Sequence, residues 1–302
     1  MNRLTINFES AKEVAEILYE KFNSDEGIFG HNVRSADLLP SGIRRSSYEH
    51  LMFYTLVISI DYQRNSAQLW NAAKKTFEDE GTRWLFIPKE LLNKSFNEIK
   101  SAMKVHRLAK KPNQDAKIWY TVSKSFFEIY DSDPMNLIKE CEYDAWKLFN
   151  KKFDLGFKRR FPFLSGNKIF PLWIRLLHDY VGIDFKNLDK IPIPIDTHVV
   201  RATFTTGCLT GRYIGTISDI APKIDEAWKK VLELVNHREL KYRLQLDGPL
   251  LHLSRFGCKF RAGNSCPDAK KNVCPVKNYC VGGIVHVSSS RRIEVDTYVC
   301  TP

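Results

Sequence analysis

The sequence predicts an all-α fold with two helical domains. Two observations carry this prediction: apolar residues recur at helical spacing along most of the chain, and Ser, Asp or Pro stands where many of these segments begin. The 302 residues are 43% hydrophobic, which is enough for one large domain or two ordinary ones. We find no internal repeat and no low-complexity linker.

The first half of the chain contains the clearest helical segments. The run 46–60 is apolar nearly all round, which is typical of a buried helix, and Ser46 or Ser47 can cap its start. The next segment, 66–80, is amphipathic and stops at Gly81. Further helices are predicted at 97–108, 115–130 and 142–153, and at the prolines of positions 88 and 134.

The end of the chain has a different pattern. Beyond Val281, two glycines, a serine run and the alternating residues IEVDTYV indicate loose or strand-like structure.

The charge of the chain limits its partners. Lysine and arginine exceed aspartate and glutamate by 11, so a polyanion is the natural partner class. No apolar run reaches the roughly 18–20 residues of a membrane span, and no apolar signal stretch precedes the chain. We therefore expect an intracellular protein of the cytoplasm or nucleoid.

Four cysteines lie in one short, basic, polar run near the end of the chain. They are Cys258, Cys266, Cys274 and Cys280. Thiolates on a loop that cannot build its own core need a bridging centre, either a metal ion or an iron–sulfur cluster. Structural zinc sites usually contain short Cys-x2–4-Cys pairs, whereas the gaps here are seven, seven and five residues. These gaps favour a cubane cluster, with zinc as the alternative, and the scattered remaining cysteines argue against disulfides.

The segment 161–182 contains a turn that leads into a helix. The turn comprises Leu164, Ser165, Gly166 and Asn167. Pro171 is tolerated in the first turn of the helix only if the helix begins close to Lys168. Amides at such a helix start, with Lys168 and the basic run 158–160 nearby, suit a nucleic-acid phosphate. An ordinary glycine turn with solvated charges is the alternative.

Asp196 stands where a helix begins after the extended, proline-containing stretch 191–195. Most aspartates in such a position are only N-caps. A helix N-terminus also keeps a carboxylate ionised and fixed in direction, as stabilisation of a positively charged sugar transition state requires.

Together, these features resemble a known family. A glycine turn leading into a helix, an aspartate in the context D-T-H-x-x-R and four cysteines about sixty residues further on resemble the helix-hairpin-helix DNA glycosylases of the endonuclease III superfamily. The resemblance covers about 46–280. It implies a six-helix barrel domain at 46–185, with the helix-hairpin-helix at about 161–182. It also implies a second helical domain, formed by 1–45 and 186–302, that carries the cluster loop 258–280, with the DNA-binding cleft between the domains.

The same resemblance assigns residues to roles. It implies that Asp196 is the catalytic carboxylate and that the four cysteines are the ligands of a [4Fe-4S] cluster. It also implies a monomeric enzyme whose partner is double-stranded DNA with a damaged or mismatched base. The residues expected to contact DNA are Tyr62 and Gln63, which match the family's wedge loop, and Ser165, Gly166, Asn167 and Lys168 of the hairpin.

The sequence departs from the family at the position of the lysine that makes bifunctional members cleave the DNA backbone. Counting from the hairpin places Phe170 there, and counting back from Asp196 places His178 there, so Lys168 is the only nearby substitute. We therefore predict a monofunctional N-glycosylase. The alternatives are a bifunctional glycosylase and abasic-site lyase that uses Lys168, and a non-enzymatic DNA-binding protein with a zinc-stapled loop.

Overall fold

The computed structural model describes residues 3–30, 39–288 and 290–299; Cys300 lies outside these ranges. The chain forms two compact units: residues 33–190 make one, and residues 1–32 with 191–302 make the other. Helices predominate over a small antiparallel sheet. Within the described ranges, no helix is both long enough and apolar enough to cross a membrane.

The first elements in chain order are β1 (Arg3–Ile6), α1 (Phe8–Asn23), α2 (Tyr48–Ser59), α3 (Ser66–Glu78), α4 (Pro88–Leu91), α5 (Phe96–Val105), α6 (Pro112–Ile129), α7 (Pro134–Glu140), α8 (Ala145–Lys151), α9 (Leu155–Arg160) and α10 (Ile169–Leu176). They are followed by α11 (Thr197–Thr205), β2 (Leu209–Thr216), α12 (Ile217–Leu234), α13 (Asp247–Phe256), α14 (Asp268–Lys271), β3 (Gly282–Val287) and β4 (Arg292–Tyr298).

The unit 33–190 is built around α2. This helix is buried from its first turn to its end, as its apolar sequence predicts, and the Ser47 side chain caps it by accepting a hydrogen bond from the His50 amide. Two buried tryptophans fix its neighbours by donating their indole hydrogens: Trp119 to the Leu85 carbonyl at 2.7 Å, and Trp173 to the Thr55 hydroxyl at 3.0 Å. Because each indole ring is buried and its N–H group is hydrogen-bonded, the two tryptophans pack in a defined orientation.

Other helix starts also follow the local sequence. Pro88 and Pro134 both occupy the first turn of a helix, and Asp133 caps α7 by accepting from the Met135 amide at 2.9 Å. The helices predicted at 66–80, 97–108, 115–130 and 142–153 are present as α3, α5, α6 and α8, with bounds shifted by a few residues.

In the other unit, α1, α11, α12 and α13 pack around one hydrophobic core. Trp228 of α12 is fully buried, and its indole hydrogen is donated to the Thr203 hydroxyl of α11 at 3.0 Å. The side chain of Thr216 and that of Asp219 form a capping box at the start of α12.

The same unit contains a four-stranded antiparallel sheet in the order β1-β2-β4-β3. The all-α prediction is therefore wrong in this part of the chain, although the fold is mostly helical. The alternating residues near the C-terminus do form β4, in which Ile293, Val295 and Thr297 are buried. The notable misses are β1, whose four residues RLTI alternate but are too few to predict a strand, and the glycine-containing β2, because their pairing joins segments distant in the sequence.

Gly283 permits the close pairing of β3 and β4. Its φ is +92°, and a Cβ atom built on it would lie 2.0 Å from the Asp296 carbonyl oxygen. We expect Gly283→Ala to lower the free energy of unfolding by about 3 kcal/mol, because the backbone conformation and the clash both oppose a side chain. Urea denaturation measures this change.

Gly263 provides the matched control. Its φ is +58°, but a Cβ atom there has no neighbour within 4 Å. Gly263→Ala should therefore cost only about 1 kcal/mol. Equal losses in the two variants would show that the contact with β4 contributes nothing.

Candidate functional site

The four clustered cysteines line a single pocket. Cys258 follows α13 and is buried, whereas the other three are partly exposed. The pocket encloses about 330 Å³ of space between atoms, part of it open to solvent. Its remaining lining residues are Thr206, Gly257, Lys270, Lys271, Val276 and Lys277. Folding thus gathers four thiols and three ammonium groups around one space.

The thiols are electrostatically coupled to one another. Burial raises the pKa of the Cys258 thiol well above its usual range, and the nearby Cys280, Cys274 and Cys266 raise it further. Burial, with Cys274 and Cys266 beside it, raises the pKa of Cys280 to about 12. Across the described part of the chain, no three or more His, Cys, Asp or Glu side chains are gathered closely enough to hold a metal ion in this ligand-free arrangement. The sulfurs therefore share a pocket without being drawn into a compact ligand set.

Arg261 carries buried hydrogen-bond donors near the clustered cysteines. Its Nη2 atom donates to the Val281 carbonyl at 2.6 Å, but its Nε and Nη1 atoms are buried and meet no acceptor among the residues described. Burial raises the pKa of both Cys266 and Cys280, and the nearby guanidinium charge of Arg261 offsets part of that rise. Buried donors without an acceptor are costly. The donor set therefore fits an anionic centre bound by thiolates.

The loop that carries the cysteines is tied to the helical core. The Val281 amide donates to the Thr205 carbonyl at the end of α11 at 3.1 Å, and the Ile28 amide donates to the Val273 carbonyl at 2.8 Å. These bonds fasten the loop on two sides.

Asp196 lies at the opposite end of α11. Its carboxylate is half-buried, and Oδ1 accepts the amide hydrogens of His198 at 2.8 Å and Val199 at 3.1 Å. The predicted N-cap is therefore present, and the helix dipole favours the ionised carboxylate. Thr206, at the other end of α11, borders the cysteine pocket and is ten residues from Asp196, so only about 15 Å of helix separates them.

The remaining residues of the D-T-H-x-x-R segment hold α11 in place. Both the His198 ring and the Arg201 guanidinium reach the buried Ser254 hydroxyl of α13, at 3.2 and 3.1 Å. Arg201 also donates to the Val287 carbonyl at 3.1 Å. These contacts fix the direction in which α11 presents Asp196.

The predicted hairpin lies in the unit 33–190. The Ser165 and Gly166 amides donate inside the turn, to the Phe161 carbonyl at 3.1 Å and the Phe163 carbonyl at 2.9 Å. Asn167 is exposed, and its amide has no acceptor in the described part of the chain. Half-buried Lys168 occupies the N-cap position of α10. Asn167 thus has an exposed backbone amide at the hairpin, with half-buried Lys168 next to it in the chain.

Tyr62 and Gln63 lie in a tight loop after α2. Gln63 is exposed with a φ of +50°, and its side-chain oxygen accepts from Lys111 Nζ at 2.8 Å. The Tyr62 ring stacks on Phe163 with centroids 4.5 Å apart, so this loop and the hairpin are in contact. The Tyr62 hydroxyl donates to the buried Asp115 carboxylate.

The structure thus places the predicted residues in two groups. Asp196 and the four cysteines belong to one unit, and the wedge loop with the hairpin belongs to the other. No family model matches this chain, and no curated protein matches it.

The sequence pattern did not indicate three residues near the hairpin: Phe163, Asp115 and Lys152. Phe163 is 40% exposed, although it belongs to an aromatic run whose other members are buried or half-buried. Asp115 and Lys152 are among the few buried charged residues. A proline followed by an aromatic residue just before the glycine turn was the only available signal, and it applies to Phe163 alone.

Lys152 supports the hairpin from beneath. It is 5% exposed, its Nζ donates to the Asn167 side-chain oxygen at 3.0 Å, and it lies 4.1 Å from the centroid of the Phe149 ring. Burial lowers the pKa of the Lys152 amine to about 8, and the charge of Lys158 adds to the fall. Desolvation of the ammonium therefore exceeds the stabilisation that its partners provide.

This shift predicts a pH-dependent stability. Between about pH 8 and the ordinary pKa of 10.5, the unfolded chain holds a proton that folded Lys152 has released, so stability rises with pH. We expect the wild type to gain on the order of 2 kcal/mol over this range relative to Lys152→Met. Urea denaturation of both proteins under reducing conditions measures the difference. A difference that stays constant with pH would contradict the assignment.

Proposed function

We propose that the protein is a monofunctional DNA N-glycosylase, which flips a damaged or mismatched base out of the duplex and hydrolyses its N-glycosidic bond. The observation that carries the proposal is the pairing at α11: a half-buried carboxylate caps its start, and its end borders a pocket lined by four cysteines. This combination is the specific part of the resemblance to helix-hairpin-helix glycosylases of the endonuclease III superfamily.

Asp196 is suited to the chemical step. When the N-glycosidic bond breaks, its electron pair leaves with the base and positive charge develops on the sugar. A carboxylate held by two amide bonds stabilises that charge, and it can accept a proton from the water whose oxygen bonds to C1′. Since the amides of α11 keep it oriented, little reorganisation is needed during the reaction.

The cysteine pocket is suited to a [4Fe-4S] cluster bound by Cys258, Cys266, Cys274 and Cys280. When bound, the cluster would join the loop covalently through its four ligands. The buried nitrogens of Arg261 would then find acceptors in the anionic sulfur centre. Lys270, Lys271 and Lys277 surround the pocket and would direct positive charge toward duplex phosphates.

The unit 33–190, which contains the hairpin, supplies the second set of DNA contacts. Asn167 and Lys168 present an amide and an ammonium group to a phosphate, and the loop of Tyr62 and Gln63 would occupy the space left by the flipped base. Flipping costs a few kcal/mol and costs less for a damaged or mispaired base, which favours such substrates.

A lyase that uses Lys168 remains the second candidate. The observation in its favour is that half-buried Lys168 lies at the start of α10, next to the exposed Asn167. A Schiff base would form as the amine attacks C1′ of the abasic sugar and water leaves. The other lysine that contacts the hairpin, Lys152, is 5% exposed and bonded to Asn167, so it is poorly placed to reach a substrate.

We expect Asp196→Asn to lower the rate of base release by about 100-fold or more, because the neutral amide cannot stabilise the cationic sugar. Asparagine also caps helices well, so the fold and DNA affinity should be preserved. Single-turnover release from duplexes that carry a panel of damaged and mismatched bases measures the rate, and gel shift measures the affinity.

Asp133→Asn is the matched control, since Asp133 caps α7 in the same manner. It should release base at the wild-type rate. Normal release by Asp196→Asn would rule out the role of Asp196. Trapping of a covalent DNA adduct by borohydride, with loss of trapping in Lys168→Ala, would favour the lyase.

The purified protein should absorb near ~400 nm and contain about four irons per chain. We expect Cys266→Ser to lose most of this iron, because it removes one of the four thiolates at the pocket. Iron, sulfide and zinc analysis of the same sample measures the outcome.

Cys141→Ser is the control for this experiment, because Cys141 is buried in the other unit. Its iron content should equal that of the wild type. A colourless wild-type protein with one zinc, and no base release from any substrate, would instead indicate a DNA-binding protein with a zinc-stapled loop.

A further inference from the structure

Phe163 combines exposure with an unfavourable backbone conformation. Its φ is +63°, in the left-handed region that bulky residues rarely adopt, and its side chain is 40% exposed. Its neighbours Phe161 and Leu164 are almost fully buried. The chain therefore directs one aromatic ring outward at the start of the hairpin, where a glycine would meet less strain.

Tyr62 holds this ring from one side. The two rings stack at 4.5 Å with an angle of 28° between them. The Lys111 ammonium lies 5.5 Å from the centroid of the Tyr62 ring, and the hydroxyl of Tyr62 donates to the carboxylate of Asp115. Asp115 is 1% exposed and also accepts the amide hydrogens of Lys110 and Lys111, at 2.7 and 2.8 Å.

Tyr62 is therefore an anchored residue. Its hydroxyl is held by a buried carboxylate, and its ring is engaged by an aromatic ring and a cation. Phe163, by contrast, has Tyr62 as its stacking partner and keeps 40% of its surface exposed. Of the two rings, Phe163 is the one that can accept a further planar group.

The surroundings of Phe163 match the chemistry of DNA. Gln63, which is also exposed and left-handed at φ +50°, follows Tyr62 directly. Its main-chain oxygen accepts from Lys110, and its side chain accepts from Lys111. An exposed ring beside two lysines is the combination that binds nucleobases by stacking and their phosphates by charge.

We propose that Phe163 stacks on an unpaired nucleobase where the duplex is opened at the lesion, with Tyr62 serving as its rigid support. This inference rests on the proposed function and adds a DNA-contacting residue that neither the family pattern nor the wedge loop contains. The left-handed backbone conformation of Phe163 then favours this contact, because it directs the ring away from the core.

The test compares Phe163→Gly with Phe163→Trp. Glycine suits the left-handed conformation, which offsets part of the lost packing of the ring on Tyr62, so Phe163→Gly should still fold. Its preference for a duplex with an abasic-site analogue over an intact duplex should nevertheless fall by about ten-fold or more, the effect of removing one base-stacking ring. Phe163→Trp should keep the wild-type preference. Fluorescence anisotropy with labelled duplexes measures both affinities.

Phe127→Ala is the control, since Phe127 lies on α6 with a similar exposure of 42%. It should retain the preference for the abasic duplex. If Phe163→Gly keeps the wild-type preference, or if Phe127→Ala loses as much, the assignment of Phe163 is wrong and the proposed glycosylase stands. If the wild type shows no preference for the abasic duplex and releases no base, both proposals fail.

Discussion

The hydrogen bonds that the Asp196 carboxylate accepts at the start of α11 are the contacts on which the proposed chemistry depends. They set the direction of the carboxylate, and the bonds of His198 and Arg201 to Ser254 set the direction of the helix. The end of the same helix binds the loop that follows the last clustered cysteine. One short helix therefore connects the candidate catalytic group to the cysteine pocket.

The charge around that pocket suits the proposed anionic metal centre. Three lysines line it, and two nitrogens of the Arg261 guanidinium are buried without an acceptor in the described part of the chain. Protonated thiols cannot balance these cations, whereas thiolates bound to iron can. A metal centre would thus stabilise the loop and leave the outer lysines available for DNA.

In the unit 33–190, two buried charged groups hold the surface residues around the hairpin in position. Asp115 anchors Tyr62 and the backbone amides of Lys110 and Lys111, and Lys152 anchors Asn167 of the turn. Both are costly to bury, and each makes hydrogen bonds to residues near the surface, although those of Lys152 offset only part of its desolvation. The exposed side chains of Phe163 and Gln63 are consequently held in place by contacts beneath them.

Local physical chemistry allowed much of the helical pattern to be predicted. Ser47, Asp133 and Asp196 cap helices, and Pro88 opens one, because each acts through its own backbone and that of the next few residues. The alternation that predicts β4 is equally local. The roles assigned to the cysteines, the hairpin and Asp196 also began as sequence patterns, and they stay predictions until base release and iron content are measured.

Tertiary structure decided the rest. The pairing of β1 with β2 joins residues about two hundred positions apart, and no local signal encodes such a contact. The nearness of Phe163 to Tyr62, of Lys152 to Asn167 and of Arg261 to the thiols likewise depends on packing. By itself, the sequence determined where helices start and which residues have the chemistry for a site. Which side chains are buried, exposed or strained was decided by the fold, because burial and contact arise between segments that are distant in the chain.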